Sequence, residues 1–174
     1  MKIAIVGMMG SGKTEIGRIL SAKMNFDCVD LDGYIEQSAR MSIVDIFNAF
    51  GEARFRELES SALAELAVSE KDFVLCCGGG IILSEKNREI LTRRFTSVWL
   101  DVPLQELERR LMDQRTTRPL LLEAHWKEKL NTLYISRGDL YQASTHLRYR
   151  WEPSHSAEES AAEIERLIRA HITP

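Results

Sequence analysis

The sequence predicts an α/β fold in which a parallel five-stranded sheet is covered by helices on both faces. Strand-like apolar runs alternate with amphipathic helical stretches along the chain, the pattern expected of repeated strand-helix-strand units. The runs are also almost continuously apolar, which is typical of parallel strands buried on both sides. Because such sheets bind ligands at the carboxyl ends of their strands, we expect the functional site at that edge.

The first predicted strand, residues 2–6, ends at Gly7 and is followed by a helix whose apolar face is formed by Ile16, Ile19, Leu20 and Met24. The later predicted strands cover residues 26–31, 73–77, 97–100 and 147–151. The first of these four ends in acidic residues, the second is followed by three glycines, and the third ends at Asp101. The fourth lies shortly before the last predicted helix. Ser156 and Glu159 form a predicted capping box for that helix, whose inward face we expect to contain Ala157, Ala161, Ile164 and Ile168.

Composition limits the classes of function. The 174 residues are 44% apolar and 28% charged, which predicts one compact domain over residues 1–174. The net charge of −3 argues against a nucleic-acid surface, which needs clustered Lys and Arg. Gly10, Gly12 and Lys13 interrupt the apolar amino terminus before it reaches the length of a secretory signal. We therefore expect a cytoplasmic monomer that binds small molecules and neither nucleic acid nor membranes.

The cysteines and histidines do not predict a metal site. Cys28, Cys76 and Cys77 lack CxxC spacing, and adjacent cysteines on a strand point to opposite faces. We expect all three to be reduced, buried core residues. The four histidines are scattered without the spacing of zinc ligands, so no structural metal is implied.

Residues 7–14, GMMGSGKT, match the phosphate-binding pattern GxxxxGK[ST] in full. The match follows a predicted strand and opens a predicted helix, a context that disfavours a glycine turn with an incidental lysine. Its glycines let backbone N–H groups face the phosphates, Lys13 can reach the β and γ oxygens, and Thr14 can bind magnesium. The motif predicts nucleotide binding but does not separate a kinase from a GTPase or an ATP-driven motor.

Five stretches together resemble the shikimate kinases, a branch of the nucleoside-monophosphate-kinase-like P-loop proteins. They are residues 7–14, VDLDGYIE at 29–36, residues 42–59, GGG at 78–80 with Asn87 and Arg88, and RPLL at 118–121 followed by Arg137 and Tyr141. The resemblance runs from the phosphate loop almost to the carboxyl terminus. It implies transfer of the γ-phosphoryl group of ATP to a hydroxyl of shikimate, with Mg²⁺, to form shikimate 3-phosphate.

The resemblance also assigns roles to individual residues. The residues assigned to catalysis are Lys13, Asp32 and Arg118. The residues assigned to nucleotide binding are Gly10, Ser11, Gly12, Lys13, Thr14, Glu15 and Arg118. Those assigned to magnesium binding are Thr14 and Asp30. Asp32 is the candidate base or orienting residue for the acceptor hydroxyl. The acceptor site comprises Asp32, Arg56, Gly78, Gly79, Gly80 and Arg137, with a substrate-binding segment at about 32–60 and a lid at about 112–122 that contains Arg118.

Residue spacing supports part of this assignment. Arg56 and Glu59 lie three positions apart on a predicted helix, so their side chains can form an ion pair. The guanidinium of Arg56 can at the same time make a two-pronged contact with the carboxylate of a ligand. Arg137 is in line with an apolar helical face, where a buried arginine needs an anionic partner. Each assignment has an alternative. Arg137 could form a structural salt bridge or extend to solvent, and Asp30 could be a solvated carboxylate at a strand end. Residues 78–80 could form a plain turn, and Arg115 and Arg118 could be surface charges.

Some features depart from the family pattern or leave a choice open. Residues 98–101, VWLD, look like a generic Walker B strand, but we interpret Asp101 as a turn residue because the family pattern has its magnesium-side carboxylate at Asp30. Either Arg110 or Arg150 could contact adenine. Two other functions remain: a gluconate-type kinase, for which the paired arginines are not expected, and a non-catalytic nucleotide-binding module, for which a lost catalytic residue is expected.

Overall fold

In the computed structural model, which describes residues 1–112 and 125–173, five parallel strands form one sheet in the order β2-β3-β1-β4-β5. The strands are β1 (Lys2–Val6), β2 (Asp27–Asp30), β3 (Phe73–Cys76), β4 (Thr96–Asp101) and β5 (Leu147–Arg150). The described helices are α1 (Lys13–Met24), α2 (Leu31–Ala39), α3 (Ile43–Ala67), α4 (Glu85–Arg94), α5 (Leu104–Leu111), α6 (Trp126–Ala143) and α7 (Ala157–Ile172), with a 3-10 turn at Ile81–Leu83. The predicted fold class is confirmed.

The strand order creates a crevice between β1 and β3. The chain leaves β1 through α1 toward the β2 edge, whereas it leaves β3 through α4 toward the β4 side. Val74 of β3 pairs with Ile3 of β1, so the carboxyl ends of these two strands lie side by side. Adjacent strands whose connections diverge in this way form the usual ligand crevice of an open α/β sheet.

Apolar side chains bury both faces of the sheet. One face packs Ile3 and Ile5 of β1 against α1 and α7, including Ile164 and Ile168, which are fully buried. The other face packs Ala4 and Val6 against helices α2–α6. The three inner strands are therefore almost continuously apolar, as predicted, whereas the edge strands β2 and β5 are partly exposed.

Side-chain caps set the starts of several helices. Ser42, Ser84 and Ser156 each accept a hydrogen bond from the backbone N–H three residues later. The predicted capping box is confirmed, since Glu159 also accepts from the Ser156 N–H at 2.7 Å. Within α3 the helix is interrupted at Gly51, whose φ of 78° is easily adopted only by glycine. This break separates the start of α3 from the turn that carries Arg56.

The prediction that all three cysteines are buried is wrong for Cys28. This residue is exposed because it lies on the edge strand β2. Interaction with the Cys76 thiol lowers the pKa of Cys28 to about 7. Cys76 and Cys77 are buried on opposite faces of the sheet, as expected, and burial contributes to raising the pKa of each. All three are free thiols.

Across the described ranges, no helix has both the length and the apolar composition that crossing a bilayer requires.

Candidate active site

A cavity of about 760 Å³ opens at the carboxyl ends of the strands, where the sheet order predicts a ligand crevice. Most of the predicted nucleotide, metal and acceptor residues line it: Gly10, Ser11, Gly12, Lys13, Thr14, Glu15, Asp30, Asp32, Gly78 and Gly79. Arg56, Gly80 and Arg137 do not line it; the Arg56 guanidinium packs against Gly80, and Arg137 donates to the Gly79 carbonyl. The structure thus brings together residues from the ends of β1, β2 and β3.

The phosphate loop joins β1 to α1 with a backbone that needs glycine. Gly10 has a φ of 79°, and a Cβ there would lie 2.9 Å from Leu111 Cγ. Gly12 has a φ of 93° and caps the amino end of α1 without a side chain, so the first backbone N–H groups of the helix remain available to an anion. The loop therefore has the backbone form and the helix-end potential of a phosphate site.

The Lys13 ammonium is folded onto the phosphate loop. Its Nζ donates to Gly7 O at 2.9 Å, to Met8 O at 2.8 Å and to Ser11 Oγ at 3.3 Å. These contacts keep a positive charge beside the backbone N–H groups at the start of α1. The two features together place positive charge at the phosphate loop.

Thr14 and Asp30 provide adjacent oxygen ligands. Thr14 Oγ1 donates to Asp30 Oδ2 at 2.9 Å, while Asp30 Oδ1 accepts from the Gly33 N–H at 3.2 Å and caps α2. The Asp30 carboxylate is thus held in the cavity by bonds from two elements and is not a freely solvated strand-end charge. Hard oxygen ligands of this kind fit Mg²⁺, which keeps several waters and bridges phosphates. In the described residues no group of three or more His, Cys, Asp or Glu could hold a metal alone.

The predicted pairing of Arg56 with Glu59 is confirmed. Arg56 Nη1 lies 2.8 Å from Glu59 Oε2, and Arg56 Nη2 lies 3.0 Å from Glu52 Oε1. The Glu59 side chain is only 1% exposed, and its burial raises the pKa of this carboxyl even though Arg56 opposes the shift. The Arg56 guanidinium is held by two carboxylates, and the Arg56 side chain remains 23% exposed.

Arg137 is buried, with 3% of its surface exposed, so the alternative that it extends to solvent is wrong. Its Nη1 donates to Gly79 O at 3.1 Å, and Tyr141 Oη donates to the same carbonyl at 2.6 Å. Among the described residues, Arg137 Nε has no acceptor and Glu59 Oε1 has no donor. Burying a guanidinium donor without an acceptor costs free energy and is uncommon in folded proteins. The arrangement therefore fits a site for an anionic ligand.

Two of the glycines at 78–80 lie close against the protein's own side chains, and a Cβ on the third, Gly79, would lie 3.2 Å from the backbone nitrogen of Met9. A Cβ on Gly80 would overlap the Arg56 guanidinium, and one on Gly78 would lie 2.9 Å from Glu59 Oε1 and 3.2 Å from Asp32 Oδ1. The stretch therefore lets Asp32, Arg56 and Glu59 converge on the strand end. This convergence disfavours a plain turn, and it differs from the sequence-based expectation that the glycines allow a ligand to approach the backbone.

Substituting Gly80 with Ala is expected to push the Arg56 guanidinium out of its place between the carboxylates. We expect the KM for the acceptor to rise between about 10- and 100-fold, since misplacing a binding group by about 1 Å has effects of that size. Steady-state kinetics with varied acceptor, with nucleotide affinity measured separately, test this. Gly138→Ala is the matched control, because a Cβ there meets nothing within 4 Å. An unchanged acceptor KM in Gly80→Ala would contradict the role given to Arg56.

Asn87 and Arg88, which belong to the family-like stretches, have no role predicted from the sequence. Asn87 is buried and donates from Nδ2 to Ile81 O at 3.1 Å, while Arg88 Nη1 donates to Ile82 O at 2.8 Å. Both residues begin α4 and reach back to the 3-10 turn that follows Gly80. They fix the path of the glycine stretch and thereby support the acceptor end of the cavity.

Of the two candidates for adenine contact, Arg110 lines the cavity, whereas Arg150 is not among the lining residues. Arg110 Nη1 donates to Ser11 O at 3.1 Å, and the guanidinium carbon lies 5.3 Å from the centre of the Trp151 ring. Sequence reasoning missed Trp151 and His155, which also line the cavity. The sequence signal that could have indicated these two residues is their position just after the end of the last strand, where ligands bind in a parallel sheet.

Two further expectations concern Asp101 and the predicted lid. Asp101 is bound by Arg148, with Oδ2 2.6 Å from Nη2, and it does not line the active-site cavity, which agrees with its interpretation as a false Walker B signal. Arg115, Arg118 and nearly all of the predicted lid at 112–122 lie outside the described residues.

Comparison with known sequences gives one family. The family model SKI, shikimate kinase, matches residues 9–169. A shikimate kinase of Nostoc punctiforme is 40% identical over 148 residues, which are 84% of this chain and 80% of the relative. One from Synechococcus elongatus is 38% identical over 168 residues, covering 97% of this chain and 86% of the relative.

Solved structures agree with the sequence comparison. Shikimate kinase from Acinetobacter baumannii in complex with shikimate superposes with a TM-score of 0.92 at 33% identity, over 99% of this chain and 95% of the other. Deoxyadenosine kinase from M. mycoides, at 14% identity and a TM-score of 0.61, shares the fold alone.

Proposed function

Because this chain belongs to the shikimate kinase family, we infer that it transfers the γ-phosphoryl group of ATP to a hydroxyl of shikimate, forming shikimate 3-phosphate. The observation that carries this conclusion is the pair of arginines, Arg56 and Arg137, at the turn beside the phosphate loop. An acceptor that bears a carboxylate suits two such groups, and shikimate has one carboxylate and several hydroxyls.

The nucleotide binds through the phosphate loop in this proposal. Backbone N–H groups of residues 10–15 surround the phosphates, and the Lys13 ammonium moves from the carbonyls of Gly7 and Met8 to the β and γ oxygens. Its positive charge then neutralises the charge that spreads over the transferred group. ATP as the phosphoryl donor follows from the family.

Thr14 and Asp30 would hold Mg²⁺, Thr14 directly and Asp30 through water. The ion would neutralise charge on the β and γ oxygens of ATP. The hydrogen bond between the two residues supports this role, because it already holds both oxygens at one point of the cavity.

Arg56 and Arg137 would bind the acceptor carboxylate in this proposal, since Arg56 packs against Gly80 and Arg137 donates to the carbonyl of the neighbouring Gly79. Asp32, at the start of α2, would accept a hydrogen bond from the attacking hydroxyl and align it with the phosphate. Alignment matters more than proton removal here, because the transition state of phosphoryl transfer is loose. Arg118 would add positive charge to the transferred group.

We further propose that residues 1–174 act as one kinase domain, with acceptor contacts from 32–60 and a lid at 112–122. We also propose that the enzyme is a monomer. We also propose that the enzyme works in the cytoplasm, where shikimate and ATP would both be available to it. Light scattering of the purified protein tests the oligomeric state.

The direct test is ATP consumption by the purified protein with Mg²⁺ and shikimate, quinate, gluconate or no acceptor. We expect rapid ADP release with shikimate alone, and phosphorus NMR of the product to place the phosphate on O3. Rapid turnover with gluconate but not with shikimate would replace the substrate and keep the kinase. No turnover with any acceptor would favour a nucleotide-binding module.

A further inference from the structure

Three carboxylates meet near the end of β3, beside the residues proposed to bind the acceptor. Glu52 and Glu59 both contact the Arg56 guanidinium, at 3.0 and 2.8 Å. Glu59 also converges with Asp32, because a Cβ on Gly78 would lie 2.9 Å from Glu59 Oε1 and 3.2 Å from Asp32 Oδ1. Two carboxylates that share a site disfavour each other's ionised form.

Glu59 is the most deeply buried of the three carboxylates. Its side chain is 1% exposed, whereas that of Glu52 is 47% exposed and Asp32 is half-buried. Within the described residues, Glu59 Oε1 has no hydrogen-bond partner. Burial is the largest effect on the pKa of Glu59 and raises it; Arg56 opposes this shift, and the Asp32 carboxylate adds to it. Glu59 is therefore the carboxylate that accepts a proton most readily.

The other groups that face Glu59 keep their protonation states near neutral pH. Arg56 and Arg137 are guanidinium groups, which stay charged. Tyr141 on α6 and Cys77 just after β3 also interact with the Glu59 charge, but burial raises the pKa of each, so both stay neutral. A proton exchanged at this strand end must therefore belong to a carboxyl group.

Binding of the acceptor adds a fourth carboxylate to this group, a step that rests on the proposed function. Arg56 and Arg137 would then supply two positive charges against four negative ones. We propose that Glu59 takes up one proton from the solvent when the acceptor carboxylate binds. The neutral acid no longer competes for the Arg56 guanidinium, so both arginines can serve the ligand. Glu59 is thus a positioning residue that acts on the acceptor through Arg56.

Proton uptake makes the affinity for the acceptor depend on pH. The pKa of Glu59 is higher with acceptor bound than without it, because a negative charge has been added nearby. The Kd of shikimate is therefore constant at pH values where Glu59 is protonated in both states. It rises with pH by up to about tenfold per unit between the two pKa values, and it is constant again above both.

The test is calorimetric titration of the full chain with shikimate, without nucleotide, in pairs of buffers that differ in ionisation enthalpy. The difference between the buffers counts the protons exchanged, and we expect net uptake at the pH values where the Kd rises. Glu59→Gln keeps the shape of the side chain but cannot titrate, so the uptake and the pH dependence should both disappear. Glu57→Gln, an exposed change on the same helix, is the matched control and should retain both.

The outcomes separate this proposal from the proposed function. Shikimate binding without proton uptake, or uptake that persists in Glu59→Gln, would overturn the role of Glu59 and leave the kinase assignment intact. Failure of the unmodified protein to bind shikimate would refute the acceptor and this inference together. If Glu59→Gln does not fold, infrared difference spectra of protein labelled with ¹³C-glutamate decide the matter. A carboxylic-acid band that appears with shikimate and shifts with the label supports the proposal, and its absence overturns it.

Discussion

Replacing Lys13 with Met is expected to lower kcat by about 10³-fold or more, with ATP still bound. The methionine keeps most of the side-chain volume but removes the ammonium that the structure holds beside Gly7 O, Met8 O and Ser11 Oγ. Loss of one charge-stabilising donor in a preorganised site costs about 10²- to 10³-fold, and here the lost group carries a full charge on the transferred phosphoryl. Rapid-quench measurement of single-turnover transfer at saturating ATP and shikimate checks this.

Lys23→Met is the matched control for this prediction. Lys23 lies in the last turn of the same helix, half-exposed and 4.0 Å from Glu165, far from the phosphate loop. We expect kcat within about twofold of the unmodified enzyme, since exposed ion pairs contribute little. If Lys13→Met turned over at a rate similar to Lys23→Met, the ammonium would have no part in transfer and the catalytic assignment would fail.

Replacing Arg56 with Ala is expected to raise the KM for shikimate by about 100-fold or more, while the Kd of ATP changes little. The guanidinium is held by Glu52 and Glu59 and packs against Gly80, next to the acceptor end of the cavity. Removing one partner of a buried charge pair costs about 2 to 5 kcal/mol, and the acceptor carboxylate would lose such a partner. Steady-state kinetics with varied shikimate, paired with calorimetric titration of ATP, measure both quantities.

The same change also affects folding, because Glu59 is 1% exposed and would lose its guanidinium. Burial already raises the pKa of Glu59, so in Arg56→Ala we expect the carboxyl to bind a proton more readily and the Tm to fall. Arg56→Lys separates the two effects, since a lysine retains a charge near Glu59 but loses the two-pronged contact with a carboxylate. Arg54→Ala, an exposed site on the same helix paired with Glu57, is the control. Normal shikimate kinetics in both Arg56 variants would refute the acceptor site.

Much of the fold could be predicted because its signals are local. All five predicted strands are present, each within two residues of its predicted bounds, since an apolar run ended by Gly or Asp is a local pattern. The pairing of Arg56 with Glu59 was also predictable, because three residues along a helix bring two side chains together. Cys28 was mistaken for a core residue because composition does not reveal which strand lies at an edge.

The site was predicted as a set of residues, but not as an arrangement. Sequence alone indicated that Arg137 is buried, yet its contact is with Gly79 O, 58 positions away. Asn87 and Arg88 had no predicted role because their bonds go to backbone carbonyls of a turn with no sequence signature. His155 and Trp151 were missed because a histidine and a tryptophan in a loop become meaningful only when a cavity reaches them.

The sequence by itself determined the order of strands and helices, the phosphate loop with Lys13 and Thr14, and the carboxylates and arginines available for chemistry. These depend on backbone preferences and spacings over a few residues. Only the tertiary structure decided that β3 lies beside β1, and hence that the Gly78–Gly80 turn meets the phosphate loop. It also decided that Arg110 donates a hydrogen bond to the carbonyl of Ser11, 99 positions earlier in the chain, and that residues just after β5 line the cavity. Such contacts arise from packing both faces of one sheet, which depends on the whole chain and not on any single segment.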